Sequence, residues 1–219
     1  MEYNINDIMP YVKNFNFDRD YFSTMEEDLL ISSVDENAPE FDWEDGASKL
    51  VIIPNDKNYV IKIPFNAGCS PNENMDDMEY YDFSQNYCET EVDLYNKIMD
   101  ENPLFAQFFL PLTRVEEFKE YSVYVQPKCS TYLKSKDDEI KSSYSAESLN
   151  KVTFANLDYK SSIPENWVAG VLEILKDINL VQEFFDFLYK YDIMFDLHKG
   201  NIGYCNNRPI ILDYAGFYE

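Results

Sequence analysis

The 219-residue chain carries 41 acidic against 18 basic residues, a formal charge of −23. So acidic a surface repels a phosphate backbone, which excludes direct nucleic-acid binding and a polybasic membrane anchor. With 45% hydrophobic and 16% aromatic residues the chain can build a sizeable core and is not expected to be disordered, and no apolar run approaches the ~20 residues of a membrane span.

The start, MEYNINDIMP, has an acid and no basic residue, and it does not read as a secretory signal. Cys69, Cys88, Cys129 and Cys205 form no C-x-x-C pair, and with a single His a structural zinc site is not expected. These cysteines read as reduced thiols of a cytoplasmic protein. Residues 1–40 read as an N-terminal extension, with helical character at 21–32. From Trp43 the pattern changes. Residues 49–53 (KLVII) and 59–65 (YVIKIPF) are β-branched runs around a five-residue loop, which predicts a β-hairpin. Residues 66–86 are acidic and read as a surface insertion. Residues 87–100 have helical spacing, with Glu91, Leu94, Tyr95 and Ile98 on one face.

Residues 110–118 and 121–127 read as two further strands, and 134–148, rich in Ser, Lys and acids, as a loop. Pro164 stands at the first turn of a helix predicted from Asn166 to about Ile178. A second helix is predicted over 180–191, apolar all round and therefore buried. Strands first and helices last predict an α+β chain, with a strand-rich lobe at 41–127 and a helical one at 128–219.

The last segment, DIMFDLHKGNIGYCNNRPIILDYAGFY, spaces Asp196, Asn201 and Asp213. A strand at 210–212 following a turn at 205–209 would form a hairpin that brings Asn201 and Asp213 together at one end. An amide oxygen and a carboxylate there make a hard-oxygen site for Mg²⁺, completed by waters and phosphate oxygens. Asp196 would stand nearby as a carboxylate able to accept a hydroxyl proton or orient a nucleophile.

The D-L-H-K-G-N segment resembles the catalytic loop of protein-kinase-like phosphotransferases, D-x-x-x-x-N followed about a dozen residues later by D-F-G. It looks most similar to the small Ser/Thr kinases of T7-like bacteriophages. The resemblance implies a two-lobed kinase-like fold, with a strand-rich N-lobe and a reduced helical C-lobe, and it implies ATP and Mg²⁺ as cofactors. It implies that Lys62, in Tyr59-Val60-Ile61-Lys62, binds α/β-phosphate oxygens from the third strand of the N-lobe. A carboxylate partner on the next helix would be Glu91, with Glu89 as the alternative. The phosphate-covering loop would be Asp45–Lys49, where Gly46 and Ser48 offer backbone N–H groups and a hydroxyl. At Asp196 the resemblance implies the acceptor-orienting carboxylate, and at Asn201 and Asp213 the metal ligands. His198 stands where protein kinases place a lysine that touches the transferred phosphate. It would do that when protonated or hold the loop, with Lys199 as the other source of charge.

The chain departs from the family pattern in several places. It has one glycine between residues 45 and 49, Met194-Phe195-Asp196 in place of H-R-D, and Asp213-Tyr214-Ala215 in place of D-F-G. It also ends at Glu219, so no activation segment is expected. Two other readings remain open beside a kinase of protein substrates. One is a catalytically inactive acidic scaffold that inhibits a basic or nucleic-acid-binding partner; the other is a kinase of small molecules.

Overall fold

The computed structural model describes residues 3–13, 34–45, 48–64, 67–71, 78–82, 86–118, 122–132 and 163–215. The segments read as a helix at 21–32 and as a loop at 134–148 lie outside the described residues, as does Gly46. The described elements are α+β, and the chain divides into two compact units. The first holds residues 1–93 and 111–128, the second 94–110 and 129–219.

The first unit begins with helix α1 (Ile5–Val12), capped by the Asn4 side chain, which accepts from the Asn6 N–H at 3.0 Å. Ile8, Tyr11 and Val12 of this helix are fully buried in the unit's core, so part of the expected N-terminal extension is core material. Five antiparallel strands follow in the order β1-β2-β3-β7-β6: β1 (Phe41–Asp45), β2 (Lys49–Pro54), β3 (Tyr59–Pro64), β6 (Thr113–Arg114) and β7 (Tyr124–Pro127). The hairpin of β2 and β3 is where the β-branched runs predict it. Strand β1 precedes the two β-branched runs, as the resemblance implies by counting the Lys62 strand third, and its apolar and acidic residues alternate as a strand's do. The strand expected over 110–118 is shorter, pairing only at Thr113 and Arg114. Inside the expected insertion at 66–86, β4 (Ala67–Pro71) pairs with β5 (Met78–Asp82) as a separate hairpin.

Register determines what each sheet face carries. Leu50 pairs with Ile63 and Ile52 with Ile61, and these four fully buried side chains enter the core shared with α1. Alternation sends Lys49, Val51 and Lys62 to the opposite face. Tyr124, the pairing partner of Lys62, shares that face. It packs there with Cys88, Val92 and Leu112, of which Cys88 and Val92 lie on helix α2 (Tyr87–Glu101).

The second unit takes the later part of α2, then α3 (Pro103–Ala106), β8 (Ser130–Thr131), α4 (Glu165–Leu175), α5 (Ile178–Lys190), β9 (Ile202–Cys205) and β10 (Arg208–Ile211). Its core is aromatic: Trp167, Phe108, Phe184, Phe185 and Tyr214 are wholly or almost wholly buried. Helix α4 stops at Leu175, short of the expected Ile178, because Lys176 turns left-handed (φ 57°) and Asp177 caps the next helix through the Asn179 N–H at 2.8 Å. Helix α5 buries only Val181, Phe184, Phe185 and Leu188, and its other face is open, which corrects the expectation of burial all round. Glu183, Asp186 and Lys190 occupy that open face.

Cysteine pairing is the second correction. Strands β8 and β9 pair Ser130 with Tyr204, which sets Cys129 and Cys205 opposite one another one step further along. They form a disulfide with a Cα–Cα distance of 4.9 Å, whereas Cys88 is a free, buried thiol.

Candidate functional site

Two clusters of polar side chains stand out, one in each unit. In the first, strand alternation aims Lys62 and Lys49 at helix α2, whose inward face presents Glu91. Lys62 Nζ donates to Glu91 Oε2 at 3.2 Å, and Lys49 Nζ to Oε1 at 2.5 Å. All three are removed from solvent, with exposures of 4% for each lysine and 0% for Glu91. Ser48, just before β2, is also buried. Charges buried this deeply cost several kcal/mol each in desolvation unless they are paired. The shared carboxylate supplies that pairing for both ammonium groups.

Glu89, the alternative partner for Lys62, is engaged elsewhere. It accepts from the Tyr124 hydroxyl and lies 3.6 Å from Arg114. The Tyr124 oxygen also accepts from Asn86 Nδ2 at 3.0 Å. Burial, then the bond to Glu89, push the Tyr124 phenol well above the usual tyrosine range. Lys49 was not foreseen as a member of this cluster. It stands at the edge of the KLVII run, and only its diagonal position to Lys62 across the β2–β3 register reveals it.

The second cluster is built on the turn after α5. Asp192 adopts a left-handed conformation (φ 57°) that leads into a 3-10 turn, Ile193–Asp196. Ile193 and Met194 are buried and anchor this turn, while Phe195 is exposed. The amide Nδ2 of Asn201 donates both to the backbone oxygen of Asp196 at 2.9 Å and to its Oδ2 at 3.0 Å. The loop between them is closed at its base by Asn201 N–H to the His198 carbonyl, 2.9 Å. His198 Nδ1 accepts from the Gly200 N–H at 3.0 Å, and its Nε2 lies 3.9 Å from Asp196 Oδ1. Nδ1 therefore shapes the loop, and a neutral ring carries its proton on Nε2. Lys199 is exposed, its Nζ 6.0 Å from the centre of the Tyr132 ring.

The β9–β10 hairpin turns on Asn206 and Asn207, both at positive φ (51° and 61°), a two-residue turn tighter than the five residues expected at 205–209. At its open end Ile202 pairs with Ile211, and the Asn201 carbonyl accepts from the Leu212 N–H at 2.7 Å and the Asp213 N–H at 3.4 Å. Asn201 and Asp213 thus flank one end of the ladder. Tyr214 fixes the chain after Asp213: it is buried, donates to the Leu110 carbonyl at 3.0 Å and meets Phe109 edge-on.

Asn201 and Asp213 are the residues that could hold a divalent cation: with the nitrogen of Asn201 committed to Asp196, its amide oxygen would face the cation, and Asp213 would bring a carboxylate. Two such oxygens are what Mg²⁺ accepts while keeping waters or phosphate oxygens. No group of three or more His, Cys, Asp or Glu side chains gathers as a metal cage among the described residues. No described helix is long and apolar enough to cross a membrane. The chain matches no family model, no curated protein and no solved structure.

Proposed function

We propose that the chain is an ATP–Mg²⁺-dependent phosphotransferase of protein-kinase-like architecture, acting on Ser/Thr hydroxyls of a protein. The buried bond between Lys62 and Glu91 carries this reading. It joins a third-strand lysine to a carboxylate on the following described helix, the pairing the resemblance names. The Asp196–Asn201 bond and the hairpin that returns the chain to Asp213 support the reading from the second cluster.

In this reading Lys62 binds phosphate oxygens as a point charge held in orientation by Glu91. Asn201 and Asp213 hold Mg²⁺, which neutralises charge on the transferred phosphoryl group. Asp196, positioned by Asn201, orients the acceptor hydroxyl and accepts its proton. Transfer then depends on alignment and charge neutralisation rather than on a covalent enzyme intermediate.

The test is a thermal-shift titration with ATP and Mg²⁺ beside a transfer assay with labelled ATP. At a hundredfold excess over Kd the ligand stabilises the fold by about 2.7 kcal/mol. Asp213→Ala is expected to lose the Mg²⁺-dependent part of that shift. Asp196→Ala is expected to keep the shift and lose transfer. A wild-type protein that ATP–Mg²⁺ does not stabilise overturns the proposal.

The charge of −23 favours a second reading, an acidic binding protein that occupies a basic protein partner. A salt-sensitive complex that survives Asp196→Ala and Lys62→Ala unchanged, without transfer activity, would select it.

A further inference from the structure

We infer that the exposed aromatic pair Tyr189–Phe195, with the acids that border it, is the docking surface for the protein substrate, and that the segment it takes is basic and carries a large apolar side chain close to the acceptor hydroxyl. The inference rests on the phosphotransferase reading above and adds to it the class of substrate.

Local geometry presents the two rings. The turn at Ile193–Asp196 has about three residues per turn, so Met194 and Leu197 fall on one side, where both are buried, and Phe195 is turned outward. Tyr189 stands in the last turn of α5, outside the buried set of that helix. The ring centroids are 5.7 Å apart, with the planes at 45°. At 54% and 49%, Tyr189 and Phe195 are the two most exposed large hydrophobic side chains among the described residues. A single exposed apolar residue is ordinary, whereas two that pack on each other and still face solvent form a patch able to take up a partner's side chain.

Charge and position select the occupant. From α5 to the end of the turn the acids are Glu183, Asp186, Asp192 and Asp196, against Lys190 as the one base. Lys190 is drawn elsewhere, to Glu101 Oε2 at 3.5 Å and the Tyr191 hydroxyl at 3.2 Å. Asp186 stands one turn before Tyr189, and Asp192 is exposed between the two ring positions. The patch is therefore apolar with a negative border, complementary to lysine or arginine beside an aromatic or large aliphatic residue. Phe195 immediately precedes Asp196, the residue that orients the acceptor hydroxyl in this reading. An extended segment advances about 3.3–3.6 Å per residue, so an apolar side chain a few positions from the acceptor serine reaches the pair.

The experiment measures, without ATP, the binding of a dye-labelled peptide by fluorescence anisotropy. The peptide holds a serine, flanking lysines and a phenylalanine two positions from the serine. Wild type is expected to bind it, and Tyr189→Ser and Phe195→Ser each to lose about tenfold in affinity, the scale of one aromatic anchor. Asp186→Lys with Asp192→Lys is expected to lose about fivefold or more. The same change of charge at exposed positions of the first unit, Glu36→Lys with Glu40→Lys, is expected to stay within about twofold. Replacing the peptide's phenylalanine by alanine, against wild type, is expected to match the ring variants and tests the same contact with no variant to fold. No binding by wild type, equal affinity in the ring variants, or an equal loss in the first-unit control overturns the inference, leaving the phosphotransferase reading to stand on its ATP–Mg²⁺ shift. A dimer in sedimentation that Phe195→Ser dissociates assigns the patch to a second copy of the chain and also overturns it. Patch-dependent binding by a protein that ATP–Mg²⁺ does not stabilise supports the docking surface and overturns the phosphotransferase reading.

Discussion

Glu91 and Glu89 lie two residues apart on one helix, yet they meet different chemistry. Glu91 points between two lysines, and Glu89 accepts from Tyr124. The second contact has a measurable consequence at alkaline pH. The Tyr124 phenol is held protonated by burial and by Glu89, and burial alone is the largest upward influence on Tyr11 and Tyr59. An unfolded tyrosine ionises near pH 10, so the folded chain keeps protons that the unfolded chain gives up above that point. Stability from these groups is therefore complete below about pH 10 and is lost as pH rises beyond it. Urea denaturation between pH 8 and 11 is expected to give a falling midpoint above pH 10, and Tyr124→Phe a shallower fall. At this scale much of the first cluster was legible. Lys62 breaks an apolar strand, and the helical spacing of Glu91 with Leu94 and Ile98 turns it inward. Lys49 was not, since its role depends on which residue of another strand lies diagonal to it.

Among the elements, the β9–β10 hairpin does most to shape the second cluster, and Gly203 is its tightest point. A Cβ at Gly203 would lie 2.1 Å from the Ser130 carbonyl oxygen, so only glycine permits β8 to approach β9. The Gly203 carbonyl in turn accepts from Trp167 Nε1 at 3.2 Å. Gly203→Ala is expected to cost about 1–3 kcal/mol, read as a lower urea midpoint, by forcing the two strands apart. The existence of most elements followed from periodicity, but several boundaries did not. Asn206 and Asn207 take left-handed conformations, and that choice shortens the turn and extends both strands. Strand β1 pairs along its whole length with β2, and its alternating Phe41-Asp42-Trp43-Glu44 pattern suits a strand with one face against the core.

On the scale of the whole molecule, the division into units follows no single cut. Residues 94–110 belong with 129–219, although 111–128 intervene. Sequence order cannot reveal this, since it depends on which core each segment fills. The same holds for Cys129 and Cys205, which are 76 residues apart in sequence and are brought together only by the β8–β9 register. A crosslink over such a loop restricts the unfolded chain and contributes about 2–4 kcal/mol. Thermal melts are expected to shift downward with reductant and equally in Cys129→Ser, and peptide mapping without reduction is expected to recover the linked pair. Recovery of both as free thiols from air-exposed protein would restore the original reading of the sequence.

The chain has two tryptophans, and each unit holds one: Trp43 on β1, half-buried, and Trp167 on α4, fully enclosed. Each unit thus contains its own optical reporter, the enclosed indole emitting at shorter wavelength than the partly wetted one. Replacing either by phenylalanine leaves a single emitter, so the melting of each half can be followed by fluorescence without attaching a dye.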